Sequence, residues 1–434
     1  MVGQNATKKR KEKEMKVLIW DMFELRNTGG PSGYLYNIHE YLKEHPNDNI
    51  CFLSDLLPVS DSDVTSNNDT NEDNITPKRK KSIWQITLSI LDLFPKLKKI
   101  VTKTIDYTYR LYHLKWSSVE NYINLDEFDF IHFHFIIHVK QFKNTYPDYR
   151  GRTIVTSHTP CPWTYETIDA NPSIKHLKSI MIRQECRLYR SADYLMFPCK
   201  QAKEPYEHNR HIKSTLDKME SRTFYVPTSI LPYQANGLNI PKRSEFNIPE
   251  SAFIVAFFGR HSHIKGYDIL KRIAEDALEK IPNLYLLCAG GGDIDPMDHP
   301  RWIELGYISN VKEVMQICDM YVLPNRETYF DLVVIECLRA GLPLSVSNTG
   351  GNKYFQTLDP DETLGISYFE ITRPEDAVKQ IEHNCTLKRN DCNAYNNLRN
   401  NNITLYNNHF TLGKYIESYI KSLTHILNSN IIGK

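Results

Sequence analysis

SAFIVAFFGRHSHIKGYDILKRIAEDALEK, residues 251–280, is the stretch whose reading decides the fold. Its first part is a nearly unbroken apolar run, as expected of a strand buried on both faces of a parallel sheet. A polar turn follows and leads into a helix. The same sentence is written near the other end of the chain. There KVLIWDMFEL reads as a buried strand, NTGGPSG as a tight turn, and residues 34–44 as a helix by their apolar spacing. NICFLSD, FDFIHFHFIIHV, RTIVTSHTP, ADYLMFP and TFYVP continue the first half as strands. NLYLLCAGGGD, RWIELGYIS, VKEVMQICDMYVLP and PLSVSNTGG continue the second. Strands alternate with helices throughout, so both halves are expected to be α/β domains built on parallel sheets. A stretch rich in Pro, Asn and Gly around residues 233–249 reads as the linker between them. Two such domains leave a cleft at the carboxyl ends of their strands, where open α/β sheets bind ligands.

Composition agrees with this reading. A chain of 434 residues exceeds one ordinary core, so two or three domains are expected. A formal net charge of +1 argues against nucleic acid as the main partner. The nine cysteines are odd in number and contain no CxxC, which fits reduced thiols and not a disulfide framework or zinc site. No run of about 18 apolar residues is present to span a membrane. Residues 1–14 read as a disordered basic tail, with the fold starting near Met15. The four apolar residues Val17 to Trp20 are too few for a signal peptide, and a cytoplasmic protein is expected. Residues 61–76 are polar and read as a disordered loop. The Asn-rich residues 393–408 also read as a loop, and FTLGKYIESYIKSLTHIL as a closing amphipathic helix.

Several polar groups fall at strand ends. Gly29 and Gly30, with Pro31, Ser32 and Gly33, form either a phosphate-approaching loop or a plain tight turn. Arg260 and Lys265 follow the strand in residues 251–258, and two cations there suit a diphosphate or are solvated loop charges. His261 and His263 between them read as surface residues. Gly290, Gly291 and Gly292 let the backbone approach a ligand or simply turn. His158 closes RTIVTSH. In NRETYFDLVVIECLRAGLP, residues 325–343, Asp331 or Thr328 is placed to cap a helix from Leu332 to Ala340 that Gly341 ends. That helix is apolar nearly all round, yet it contains Glu336. A buried carboxylate needs a partner, and the two hydroxyls of a ribose or a structural arginine would both serve.

Together these motifs resemble the retaining glycosyltransferases of family 4 (glycosyl transferases group 1), which have two Rossmann-like parallel-sheet domains facing a central cleft, the GT-B fold. The resemblance is sharpest from Phe257 to Gly351 and looser in the first half. It implies that Arg260, Lys265, Gly29 and Gly30 bind a donor diphosphate and that Glu336 binds the donor ribose. Tyr307 and Ile308 would frame the base, and His158 and Glu327 would act at the donor sugar. Thr328, Phe330, Asp331 and Leu332 would lie near the sugar or phosphate. It further implies transfer without a metal, a cofactor or a covalent nucleophile, the leaving phosphate helping to deprotonate the acceptor. One departure stands out. Eight positions before Glu336 the chain has Thr328, with Glu327 one step earlier, and the family's glycine after the phenylalanine is Asp331. Either a bulge delivers Glu327 to the sugar or the Thr328 hydroxyl replaces it, and Asp331 is compatible with a diphosphate only if helix capping occupies its charge.

The resulting layout is a tail at 1–14, a first domain at 15–235, a second at 250–410 and a closing helix at 411–434. The insert at 77–116 is basic and amphipathic, with lysines around Ile83, Trp84, Leu88 and Phe94, which suits contact with an anionic membrane or a lid on its own domain. The expected activity moves a sugar from a nucleotide-sugar donor, with UDP as the first expectation, to a glycan or lipid-linked acceptor in surface polysaccharide biosynthesis. A sugar-nucleotide epimerase on the same fold and a catalytically silent glycan-binding subunit are the alternatives.

Overall fold

The computed structural model describes residues 15–26, 30–57, 101–104, 119–120, 122–233 and 237–429. The tail at 1–14, Gly29, the loop at 61–76 and the insert at 77–116 lie outside them, apart from residues 101–104, which are helical.

The first domain is a parallel sheet of β1 (Val17–Trp20), β2 (Ile50–Phe52), β3 (Phe130–Phe133), β4 (Arg152–Thr156), β5 (Tyr194–Phe197) and β6 (Thr223–Tyr225), ordered β2-β1-β3-β4-β5-β6. Its helices include α1 (Gly30–Glu44), α2 (Ile136–Thr145), α3 (Trp163–Ala170), α4 (Lys178–Ser191) and α5 (Arg210–Lys218). The second domain has β7 (Phe253–Phe258), β8 (Leu284–Ala289), β9 (Trp302–Glu304), β10 (Met320–Leu323), β11 (Leu344–Ser347) and β12 (Ile366–Phe369), ordered β12-β11-β10-β7-β8-β9 and parallel throughout. Helices α6 (Tyr267–Lys280), α7 (Leu332–Ala340), α8 (Glu375–Asn390) and α9 (Cys392–His409) belong to it. The strand order reverses at β1 in one sheet and at β7 in the other, and a crevice opens at such switch points. All six residues of β7 and all four of β1 are buried, which is why both read as continuous apolar runs.

Three boundaries differ from the sequence reading. Helix α1 starts at Gly30 and not at residue 34. Pro31 suits a first turn, where its missing N–H is not needed, and Ser32 Oγ accepts the Arg26 N–H at 2.7 Å. The second domain captures the chain earlier than residue 250, because Arg243 donates to both Asp319 oxygens (3.0 and 3.1 Å) and to the Ile317 carbonyl (2.7 Å). The Asn-rich residues 393–408 are helix α9, not a loop. Asp391 accepts from the Ala394 N–H at 2.9 Å to start it, and Tyr395, Asn402, Leu405 and Tyr406 share one buried face. Asn402 donates there to the Leu342 carbonyl at 2.7 Å. Packing on one face has overridden weak propensity on the other.

The last helix, α10 (Leu412–Ser429), follows the second domain in sequence but completes the core of the first. Leu412, Tyr415, Ile416, Tyr419 and Leu423 pack with Val17, Ile19, Leu35 and Ile38. The Tyr415 hydroxyl bonds that of Tyr34, and the Tyr419 hydroxyl lies 2.7 Å from His132 Nδ1. Among the described residues no helix is long and apolar enough to cross a membrane.

The fully buried Leu423 tests this assignment. Leu423→Ala is expected to lower unfolding stability by about 2–5 kcal/mol in urea denaturation. Lys421→Ala, two residues earlier and exposed, should change it by less than about 0.5 kcal/mol. Equal effects would mean that α10 is not part of the first domain's core.

Candidate functional site

The loops leaving β7 and β10, adjacent strands on either side of the second sheet's reversal, are nested against one another. Gly266 has φ +65°, and a Cβ there would fall 1.8 Å from the Pro324 carbonyl oxygen. The backbone of residues 325–331 is pinned from below by the glycine pair after β11. Cβ atoms on Gly350 and Gly351 would lie 2.1 and 2.0 Å from the carbonyl oxygens of Thr328 and Tyr329. Arg326 adds a bidentate pair with Asp268 at 2.7 Å for each bond, and its N–H donates to the Ile264 carbonyl at 2.9 Å. These contacts bring Arg260, Lys265, Asp331 and the start of α7 into one crevice.

Within it the expected groups have different fates. Arg260 is exposed, without an ion pair or hydrogen bond among the described residues, and within electrostatic reach of Glu166 on α3 across the cleft. Lys265 is engaged, its Nζ 2.8 and 2.9 Å from the two oxygens of Asp331. Asp331 therefore does neutralise its charge, but not by capping. It occupies the N-cap position of α7 with no side-chain capping bond, and Asn325 Nδ2 donates to it as well. Thr328 does not cap either. It is fully buried, and its Oγ1 has no hydrogen-bond partner among the described residues. Phe330 turns inward against Tyr354, Phe355 and Phe410, whereas Leu332 is half-buried at the start of α7.

The two glutamates are both placed at the cleft. Glu327 reaches the first domain, its Oε1 3.2 Å from His208 Nδ1. Burial raises its pKa, and the His208 charge pulls it partly back. Glu336, half-buried in α7, has no hydrogen-bond partner among the described residues. Burial raises its pKa too, opposed only by Arg339. Arg339 is occupied elsewhere, donating to the Leu231 carbonyl at 2.5 Å and lying 4.1 Å from the Tyr233 ring centroid. The structural-arginine reading of Glu336 is therefore not what the side chains show. Tyr307, beside the left-handed Gly306, is 82% exposed, and Ile308 packs against the core.

On the first domain's wall, Gly30 opens α1 at the end of the loop after β1, with open space around it. His158, just past β4, is not alone. Its Nε2 lies 2.8 Å from His134 Nδ1, and the His134 ring packs at a tilt against His132, centroids 4.3 Å apart. His132 in turn bonds Tyr419 and Thr156. Burial pushes the pKa of His132 and His158 down to about 3, so this ladder is neutral at ordinary pH. His158 also contacts Tyr34 of α1 and Tyr329 of the second domain, with centroids at 4.8 and 6.3 Å. His261, expected at the surface, is buried and stacked on Tyr267 at 3.9 Å, whereas His263 is exposed. Among the described residues no three histidine, cysteine or carboxylate side chains converge as a metal site would need.

Residues 252–382 match the family described as glycosyl transferases group 1. Over 135 residues, 26% of this chain and 30% of the relative, the chain is 30% identical to a D-inositol 3-phosphate glycosyltransferase of Stackebrandtia nassauensis. It is 26% identical over 116 residues, 24% of this chain and 31% of the relative, to the O-antigen biosynthesis glycosyltransferase WclY of Escherichia coli. The chain thus spans less than a third of the length of these curated relatives. Among solved structures it is similar to sucrose-phosphate synthase from Thermosynechococcus elongatus, with TM-score 0.57, 15% identity, and coverage of 97% of this chain and 100% of that one. It is also similar to HepE from Anabaena in complex with UDP and glucose, with TM-score 0.54, 14% identity, and coverage of 95% and 100%. At such identities the likeness shows the fold, two Rossmann-like domains facing a cleft in the GT-B arrangement.

Asp21, one residue past β1 at the first sheet's reversal, gave no signal in the sequence, where it is a lone acid after a strand. It is 3% exposed and accepts from the Ser54 N–H (3.0 Å) and Ser54 Oγ (2.5 Å). Burial outweighs these bonds and lifts its pKa to about 6 from 3.8. The folded pKa is the higher one, so this group's contribution to stability is complete below about pH 3.8 and is lost as pH rises through about 6. Asp21→Asn, which keeps both partners and cannot ionise, should gain on the wild type by about 2 kcal/mol between roughly pH 4.5 and 7.5 in denaturant melts. A difference independent of pH would show that Asp21 is ionised throughout.

Proposed function

We propose that this protein is a glycosyltransferase that transfers a sugar, with retention, from a nucleoside-diphosphate sugar to a glycan or lipid-linked acceptor in surface polysaccharide assembly. The observation that carries this reading is Glu336, a half-buried carboxylate whose side chain has no hydrogen-bond partner among the described residues, on the helix that Asp331 ties to Lys265. A buried charge without a partner costs stability, and a site that binds vicinal hydroxyls repays that cost only when occupied. The match of residues 252–382 to glycosyl transferases group 1 supports it.

In this reading Arg260 and Lys265 hold the diphosphate and stabilise it as it leaves. The exposed Tyr307 ring and Ile308 frame the base, uracil being the first choice. Glu336 accepts from the two ribose hydroxyls. His158, neutral and with no protein partner at Nδ1 among the described residues, meets the donor sugar, and Glu327 accepts from its hydroxyls. The acceptor oxygen attacks the anomeric carbon as the bond to the phosphate breaks, and the acceptor's proton passes to the departing phosphate oxygen. No metal takes part. The protein would work in the cytoplasm, with residues 77–116 as its contact to a membrane that carries the acceptor.

Thermal melts with UDP, GDP, ADP and their common sugar derivatives test the reading. One base is expected to stabilise the wild type by about 2.7 kcal/mol at 100 times its Kd. Glu336→Ala should weaken that ligand by about 10- to 100-fold, the loss of hydrogen bonds to a charged group, without lowering unliganded stability. A panel in which no nucleotide shifts the melt would sink the proposal.

A further inference from the structure

Lys265 already has an anion. Both Asp331 oxygens lie within 2.9 Å of its Nζ, and the two side chains retain 26% and 16% of their exposure. Arg260, on the same loop, has no such partner among the described residues. Asp331 is not spent on capping its helix. It stands at the N-cap of α7 without capping it, and its side chain accepts from Lys265 and from the buried Asn325.

We propose that Asp331 is an internal stand-in for the diphosphate: it occupies Lys265 when the site is empty, and an entering diphosphate must take that ammonium from it, so Asp331 sets the affinity of the site. The inference rests on the diphosphate reading given above. Asp331 offsets one of the two positive charges that Arg260 and Lys265 would present to a diphosphate. A diphosphate brings several negative charges next to the Asp331 carboxylate, in a partly desolvated place where repulsion is only weakly screened. An ammonium has three N–H donors and can serve both anions at once, so Asp331 weakens binding without abolishing it. The same exchange works in reverse after transfer, because Asp331 reclaims Lys265 as the nucleotide leaves.

Calorimetric titration of wild type, Asp331→Asn and Asp331→Ser with UDP, GDP, ADP and inorganic pyrophosphate tests this. Two variants guard against one folding badly. Both are expected to bind roughly 10-fold tighter than wild type, about 1.4 kcal/mol, with a steeper dependence on salt because the site's net charge has risen. Lys265→Ala should cost less affinity in the wild-type background than in Asp331→Asn, since in the wild type the lysine is already half committed. Variants that bind as the wild type does, or more weakly, would overturn the inference, since Asp331 would then be aligning Lys265 for the ligand. Wild-type binding without any gain in the variants removes this inference alone. Silence from every protein with every probe removes the diphosphate reading and this inference with it.

Discussion

Everything at the cleft depends on how closely the loop after β10 is allowed to approach its neighbours. At Gly266, Gly350 and Gly351 any side chain would place a Cβ 1.8–2.1 Å from a carbonyl oxygen of residues 324–329. That separation is impossible, so the three positions carry no Cβ. With the loop clamped on both sides, Asp331 arrives at Lys265 and α7 begins inside the crevice. Glu336, a turn and a half further, then has nowhere to go but the half-buried flank of the same helix. Site geometry here is a consequence of backbone packing and not of the acidic residues themselves.

The opposite wall is stiffened by a different device. α10 leaves the second domain and returns to the first, where Tyr415 and Tyr419 meet Tyr34 and His132. From His132 the contact passes by tilted ring packing to His134 and by a hydrogen bond to His158. Burial keeps these imidazoles neutral, so the ladder transmits position and not charge. The domains are also joined directly, by Tyr329 against Phe197 and by the Lys353–Glu204 pair at 2.6 Å. His208 and Glu327 face one another across the same seam. That pair is partly exposed and is worth little as a fastening; its consequence is to aim Glu327 at the cleft while Thr328 is folded away.

The parallel sheets, α7 with its glycine stop and the cleft itself were legible in the sequence, because buried parallel strands and turn glycines have few other readings. What was not legible depended on partners far along the chain. Residues 393–408 looked like a loop because eight asparagines hide a stripe of Tyr395, Leu405 and Tyr406 that only a neighbouring helix makes apolar enough to matter. His261 looked exposed because local polarity cannot foretell the Tyr267 ring that covers it. Capping by Asp331 was the natural local inference, and it failed because Lys265, 66 residues away, competes better than the backbone N–H groups of α7. Asp21 left no trace, since one acid after a strand carries no information on its burial.

The two carboxylates of the crevice show how a site can be read from what is unsatisfied. Asp331 and Glu336 are five residues apart on one helix, and both are half-buried. One has taken the nearest cation, and the other has been left without a partner although Arg339 lies a single turn away. If stability alone governed the region, Arg339 would swing to Glu336 and leave its carbonyl to solvent. Instead Arg339 is held by Leu231 and by Tyr233, at the end of the chain that links the domains. The linker thus keeps Glu336 unpaired. A deficit maintained by three other residues is stronger grounds for a ligand than an acid in a pocket would be, because it requires the rest of the structure to work around it.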